Sequence, residues 1–106
     1  MSESKRKLIM SLQQKAKLYY STMSNTTERR RLRNIDMELG CNRVIWMVIE
    51  KGYTWKTACR LVSKKFKYCY FDSLRNDVIK IVPQSVRTRT TKIHQYKFFK
   101  ELEYVK

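Results

Sequence analysis

The chain has 106 residues, of which 42% are hydrophobic, so it can bury a modest core as one domain and should not remain disordered. Its two glycines and one proline are too few for a fold of many short β-strands joined by turns. The 24 lysines and arginines against nine acidic residues give a net charge of +15, which indicates a polyanionic partner, nucleic acid above all.

The whole sequence predicts one all-α domain of about five helices, because apolar residues recur at helical spacing along most of its length. We divide it into an N-terminal helical pair over residues 1–40, a three-helix unit over residues 41–83, and a basic arm with a C-terminal helix over residues 84–106.

The first predicted helix runs from Ser4 to Met23 and carries a wide apolar stripe. This stripe needs a partner, which is either the rest of the domain or a second copy of the chain in a homodimer. Its members are Leu8, Ile9, Leu12, Ala16, Tyr19, Tyr20 and Met23.

The second predicted helix begins after Thr26 or Thr27, either of which suits an N-cap, and continues to Leu39. Leu32, Ile35 and Leu39 lie at i, i+3 and i+7, so they are predicted to face the core. The opposite face carries the run ERRRLR. This run is either a phosphate-contacting patch or a solvated face that Asp36 and Glu38 partly neutralise.

Gly40 is predicted to end the second helix, and Asn42 can cap a third. Six consecutive apolar residues, 44–49, fit a buried strand or a buried helix equally well by periodicity. We predict a helix because Glu50-Lys51-Gly52 is typical of a helix end. Trp46 is then expected in the core.

Residues 52–82 predict two amphipathic helices joined by an aromatic turn. The first buries Trp55, Ala58, Cys59, Val62 and Phe66, and it aligns four cations on its opposite side, namely Lys56, Arg60, Lys64 and Lys67. The second buries Phe71, Leu74, Val78 and Ile81, and it leaves Ser73, Asn76, Asp77 and Lys80 outside with Arg75 at the border.

This pair resembles the helix-turn-helix class of DNA-binding proteins. The matching features are Gly52 as a helix stop, Thr54 as an N-cap, small Ala58 where two helices approach, and Leu61 or Val62 as core. The turn over residues 66–71 differs from the usual pattern, since it lacks glycine and is longer and more aromatic. The resemblance covers residues 52–82 and is to the class, not to one family within it.

The resemblance implies that one helix crosses the phosphate backbone while the next enters a major groove. We therefore expect phosphate contacts from the four cations of the first helix. Base-edge contacts are expected from Ser73, Arg75, Asn76 and Lys80, because arginine pairs with guanine and asparagine with adenine.

Pro83 is predicted to end the last helix of this unit, and residues 84–92 read as an extended basic segment. The segment could be an edge strand, a wing or an arm, with Arg87 and Arg89 as further phosphate contacts. A last helix is predicted from Lys92 to Tyr104.

No arrangement of residues points to catalysis, so we expect neither an enzyme nor a cofactor, metal or small-molecule substrate. His94 is the only histidine, and Cys41, Cys59 and Cys69 have no metal-binding spacing, which predicts buried or half-buried thiols in a reducing compartment. No apolar run is long enough for a signal peptide or membrane span, so an intracellular location is expected, in the cytoplasm, nucleoid or nucleus.

The leading hypothesis is a transcriptional regulator that binds duplex DNA. A second is RNA binding, with bases stacking on Tyr53, Tyr68, Tyr70, Phe71 and Tyr96 if these side chains are exposed. A turn that buries both Tyr68 and Tyr70 would favour packing instead. A third hypothesis is a basic interaction module, or inhibitor, that binds an acidic protein surface.

Overall fold

A computed structural model of the chain describes residues 3–88 and confirms the all-α prediction. It contains α1 (Glu3–Ser21), α2 (Glu28–Lys51), α3 (Trp55–Ser63) and α4 (Phe71–Ile81), and residues 84–88 are also helical. No strand occurs between residues 3 and 88. The helix predicted from Lys92 to Tyr104 lies outside the described residues.

Local chemistry fixes where α2 and α3 begin and where α2 ends, at residues predicted to be helix caps. The Thr27 hydroxyl accepts a hydrogen bond from the Arg30 amide at 3.2 Å, and the Thr54 hydroxyl accepts one from the Thr57 amide at 3.1 Å. Gly52 follows α2 with a φ of 84°, a left-handed conformation that costs glycine little. A short link therefore turns the chain sharply from α2 into α3.

Gly40 does not end a helix, and this prediction was wrong. α2 is 24 residues long and passes through Gly40, so the boundary predicted between residues 40 and 41 lies inside a helix. A Cβ atom on Gly40 would lie 2.8 Å from Cys69 Sγ and 3.1 Å from Val62 Cγ1. The glycine is therefore required for the close approach of Val62 and Cys69 to α2.

The core surrounds α2, which contacts α1, α3 and α4. Residues 44–49 are helical as predicted, with Val44, Ile45 and Val48 fully buried. Trp46 is only half-buried, which corrects its predicted place in the core. Its ring is covered by the Arg43 guanidinium at 4.5 Å and the Lys51 ammonium at 5.3 Å, two cation–π contacts at the surface.

The apolar stripe predicted for the first half of α2 faces outward. Leu32, Ile35 and Leu39 are 37%, 49% and 48% exposed, whereas Met37 is 2% exposed. The buried stripe of the long helix runs through residues 37, 41, 44 and 48, and its helical spacing leads back to Arg33 and Arg30. Arg30 and Arg33, although exposed, therefore lie on the same side of α2 as the buried stripe, the side predicted for Leu32, Ile35 and Leu39.

The rest of the domain covers α1, so its apolar stripe has an intramolecular partner. Ile9, Leu12 and Ala16 are buried in the common core. At the end of α1, the Tyr20 hydroxyl donates to Asp77 Oδ2 at 2.8 Å and the Tyr19 hydroxyl donates to Asp77 Oδ1 at 3.2 Å. These bonds attach α1 to α4 across more than half of the sequence.

Among the helices of residues 3–88, none combines the length and the apolar character that crossing a membrane would require.

Candidate nucleic-acid interface

The cations predicted to form one line on α3 are all exposed, but they do not share one helix. α3 ends at Ser63, so only Lys56 and Arg60 lie on it. Lys64 is its C-cap residue and Lys67 belongs to the following turn. The predicted line of four cations from Lys56 to Lys67 is therefore corrected: two of the cations lie on α3 and two lie in the connection that follows it.

The connection between α3 and α4, residues 64–70, is held against the domain without any glycine. The Phe66 amide donates to the Val62 carbonyl at 3.3 Å, and the Cys69 amide donates to the Phe66 carbonyl at 3.2 Å. From α2, Asp36 Oδ2 accepts a hydrogen bond from the Tyr68 amide at 3.1 Å. No non-glycine residue in the described chain has a positive φ, so this turn needs no left-handed position.

The outer face of α4 presents three of the four predicted base-contacting side chains to solvent. Arg75, Asn76 and Lys80 are exposed, while Ser73 is half-buried at the edge of the face. Leu74, Val78 and Ile81 are buried as predicted and hold the opposite side of α4 in the core. The acidic side chain of Asp72 is also exposed on this helix.

Arg60 on α3 and Arg75 on α4 each interact with the neighbouring helix. The Arg60 guanidinium lies 5.5 Å from the centre of the Phe71 ring, at the first residue of α4. The charge of Arg75 also reaches Cys59 on α3, where it opposes the upward shift of the thiol pKa. Of the two core candidates in the helix-turn-helix comparison, Val62 is buried and Leu61 is exposed.

Arg87 does not lie on an extended arm. Residues 84–88 are helical, with the Val86 and Arg87 amides both donating to the Pro83 carbonyl at 3.0 Å, so the predicted arm or wing is corrected for these positions. Arg87 is half-buried and its Nε donates to the Val82 carbonyl at 3.1 Å. Arg89 and the rest of the predicted segment lie outside the described residues.

The three cysteines are free and buried, as predicted. Burial raises the pKa of Cys69 to about 11 and that of Cys59 to about 12, and it also raises the pKa of Cys41. These thiols are therefore protonated near neutral pH and are poor nucleophiles. Between residues 3 and 88, no three histidine, cysteine or acidic side chains are grouped so that they could hold a metal ion.

A groove between α2 and the 64–70 turn was not predicted. It has a volume of about 320 Å³ and is lined by Arg29, Arg30, Arg33, Tyr68 and Tyr70. Tyr70 is 57% exposed and Tyr68 is half-buried, so the turn does not bury both tyrosines. The ERRRLR run and the tyrosines each stood out in the sequence, but nothing in the sequence placed them together.

Comparisons with protein-family models, with curated proteins and with solved structures find no match to this chain.

Proposed function

We propose that this protein binds duplex DNA, in the manner of a helix-turn-helix module, and acts as a transcriptional regulator. The observation that carries the proposal is the exposure of Lys56 and Arg60 on α3 and of Arg75, Asn76 and Lys80 on α4, two helices that are in contact with each other. Apolar residues on the other side of both helices anchor this face to a common core.

The two helices would divide the work of binding. Lys56 and Arg60 on α3, with Lys64 and Lys67 in the connection, would hold phosphates and fix the position of the protein on the duplex. Arg75 and Asn76 on α4 would contact base edges, since both side chains can form paired hydrogen bonds with a purine. Ser73 at the edge of the face and Lys80, one turn beyond Asn76, would add further base-edge contacts.

Substitutions on the two helices should have different consequences. We expect Arg75→Ala or Asn76→Ala to cost about 1 to 3 kcal/mol of binding free energy on the preferred duplex, with the loss confined to one base position. Lys64→Ala should weaken binding to all duplexes alike and reduce the slope of log K against log salt by about 1. Fluorescence anisotropy with a set of single-base variants of the duplex would measure both effects.

A lysine on α1 provides the matched control. Lys15 is exposed and lies on neither helix of the proposed interface, so Lys15→Ala removes the same charge elsewhere. It should change affinity by less than Lys64→Ala does. Equal losses on every duplex for Asn76→Ala, Lys64→Ala and Lys15→Ala would contradict the assignment of roles and leave only charge-driven binding.

A further inference from the structure

We infer that the groove between α2 and the 64–70 turn is a second binding site, which takes an unpaired stretch of nucleic acid. The groove joins arginines, which bind phosphate, with tyrosines, on which bases stack. It is lined by none of the α4 side chains that the proposed duplex contact uses. The inference therefore does not rest on duplex recognition.

The arginines of the groove are available to an anion. Arg29 and Arg33 form no ion pair with any residue between 3 and 88, and Arg30 Nη1 contacts only the Thr26 hydroxyl, at 3.4 Å, among those residues. Asp36 and Glu38, which in one of the two alternatives would neutralise this run, form no ion pair with it between residues 3 and 88. Asp36 instead accepts the Tyr68 amide, and within the run Glu28 pairs with Arg31 at 3.9 Å.

The fold forces these arginines to face the groove. Arg30 and Arg33 continue the stripe that is buried further along α2, so they point toward the domain where α2 extends beyond the tightly packed core. A neighbouring groove shares Arg30 and Arg33 but is also lined by the carboxylate of Asp77. The groove lined by Tyr68 and Tyr70 has no carboxylate in its lining, so an anion is better placed there.

The tyrosines add aromatic rings on which bases can stack, a feature that a simple anion site lacks. Tyr70 immediately precedes α4, lines the groove and is 57% exposed, so more than half of the residue is accessible to a base. The Lys67 ammonium lies 5.3 Å from the centre of the Tyr68 ring and adds positive charge at the rim. Arginine-rich grooves with open aromatic rings bind single strands, in which bases are free to unstack, and exclude the paired bases of a duplex.

The test compares labelled oligonucleotides of about 12 nucleotides, a length within the range of single-strand sites. Oligo-dT and oligo-U represent the two sources of unpaired strand, and a duplex of equal length is the control probe. Tyr70→Ala should reduce affinity for the unpaired probes on the order of tenfold, because base stacking on an aromatic ring is lost. Tyr70→Phe keeps the ring and should retain the affinity of the parent protein.

Arg33→Ala should weaken binding to the same probes and lower the salt slope by about 0.7, the value for one phosphate on a single strand. Asn76→Ala on α4 should leave binding to the unpaired probes unchanged, while Tyr70→Ala should leave the duplex unchanged. This crossed pattern separates failure of the groove from failure of the duplex face.

Retention of either oligo-dT or oligo-U with loss on Tyr70→Ala supports the inference, and the preferred probe shows whether the thymidine or the uridine strand binds better. Equal affinity of the parent protein and Tyr70→Ala for both probes would overturn it. Binding of a polyglutamate peptide that depends on Arg33 but not on Tyr70 would also overturn it, because the groove would then be a general anion surface for acidic proteins.

Discussion

Gly40→Val is expected to destabilise the protein by about 3 kcal/mol, because overfilling a closely packed site forces neighbours to move. The first added carbon would already lie 2.8 Å from Cys69 Sγ, and Cys69 is buried in the turn that leads to α4. At this chain length the melting temperature should fall by roughly 10 to 20 °C. Thermal unfolding followed by circular dichroism measures the change.

The smaller substitution Gly40→Ala tests the cause if the valine variant fails to fold. Alanine is about 1 kcal/mol more favourable than glycine inside a helix, so any net destabilisation must come from the contact. In a Cys69→Ala background, which removes the sulfur atom, Gly40→Ala should cost clearly less than it does alone. Equal costs in both backgrounds would contradict the proposed contact. Leu39→Val, at an exposed position next to Gly40, is the control and should change stability less than Gly40→Val does.

Asp77→Ala is expected to cost about 2 to 3 kcal/mol of stability, because it leaves the buried Tyr20 hydroxyl without its acceptor. Tyr20 is 4% exposed, and burial together with the neighbouring Cys41 and Asp77 raises the pKa of its hydroxyl, which stays protonated and donates. The same substitution also frees Tyr19. Denaturant unfolding of the variant against the parent protein measures the loss.

A comparison of the two tyrosines separates the contributions of the two hydrogen bonds to Asp77. Tyr20→Phe should destabilise the protein more than Tyr19→Phe, whose hydrogen bond is longer and less buried. Asp77→Asn retains a carbonyl acceptor and should cost less than Asp77→Ala. The double variant Tyr20→Phe with Asp77→Ala should cost less than the sum of its parts, and strict additivity would show that the hydroxyl and the carboxylate do not interact.

The helices themselves could be predicted from the sequence, because capping residues and apolar spacing act locally. Thr27, Thr54 and Gly52 mark helix ends through their own side chains or backbone freedom, and each lies where it was expected. Leu74 and Val78 are likewise buried on the predicted face of α4. These features depend on residues within a few positions of one another.

Features set by distant neighbours could not be predicted in the same way. Gly40 looked like a helix end because the partner that requires a glycine, Cys69, is 29 positions away. The three residues Leu32, Ile35 and Leu39 satisfied a helical stripe over two turns, but the much longer buried stripe of α2 sets which side faces the core. A short apolar pattern identifies one side of a helix, but the buried stripe along the whole helix decides whether that side packs against the core.

The same distinction between local and distant features applies to the two candidate sites. The exposed positions of Arg75, Asn76 and Lys80 follow from the periodicity of α4 alone. The groove needs two segments that lie 35 to 41 residues apart in the sequence, the start of α2 and the turn before α4. Asp36 holds these segments together by accepting the Tyr68 amide, a contact that local sequence patterns do not encode.

Selection of bound molecules from a randomised duplex pool at about 150 mM salt, with a matched single-stranded RNA pool alongside, tests the central claim most directly. Duplex recognition through α4 predicts one enriched duplex motif, which changes at a single position when selection is repeated with Asn76→Ala. A two-fold symmetric motif would add binding as a homodimer. Retention of duplexes without any motif, or preference for the RNA pool, would contradict sequence-specific duplex recognition by this protein.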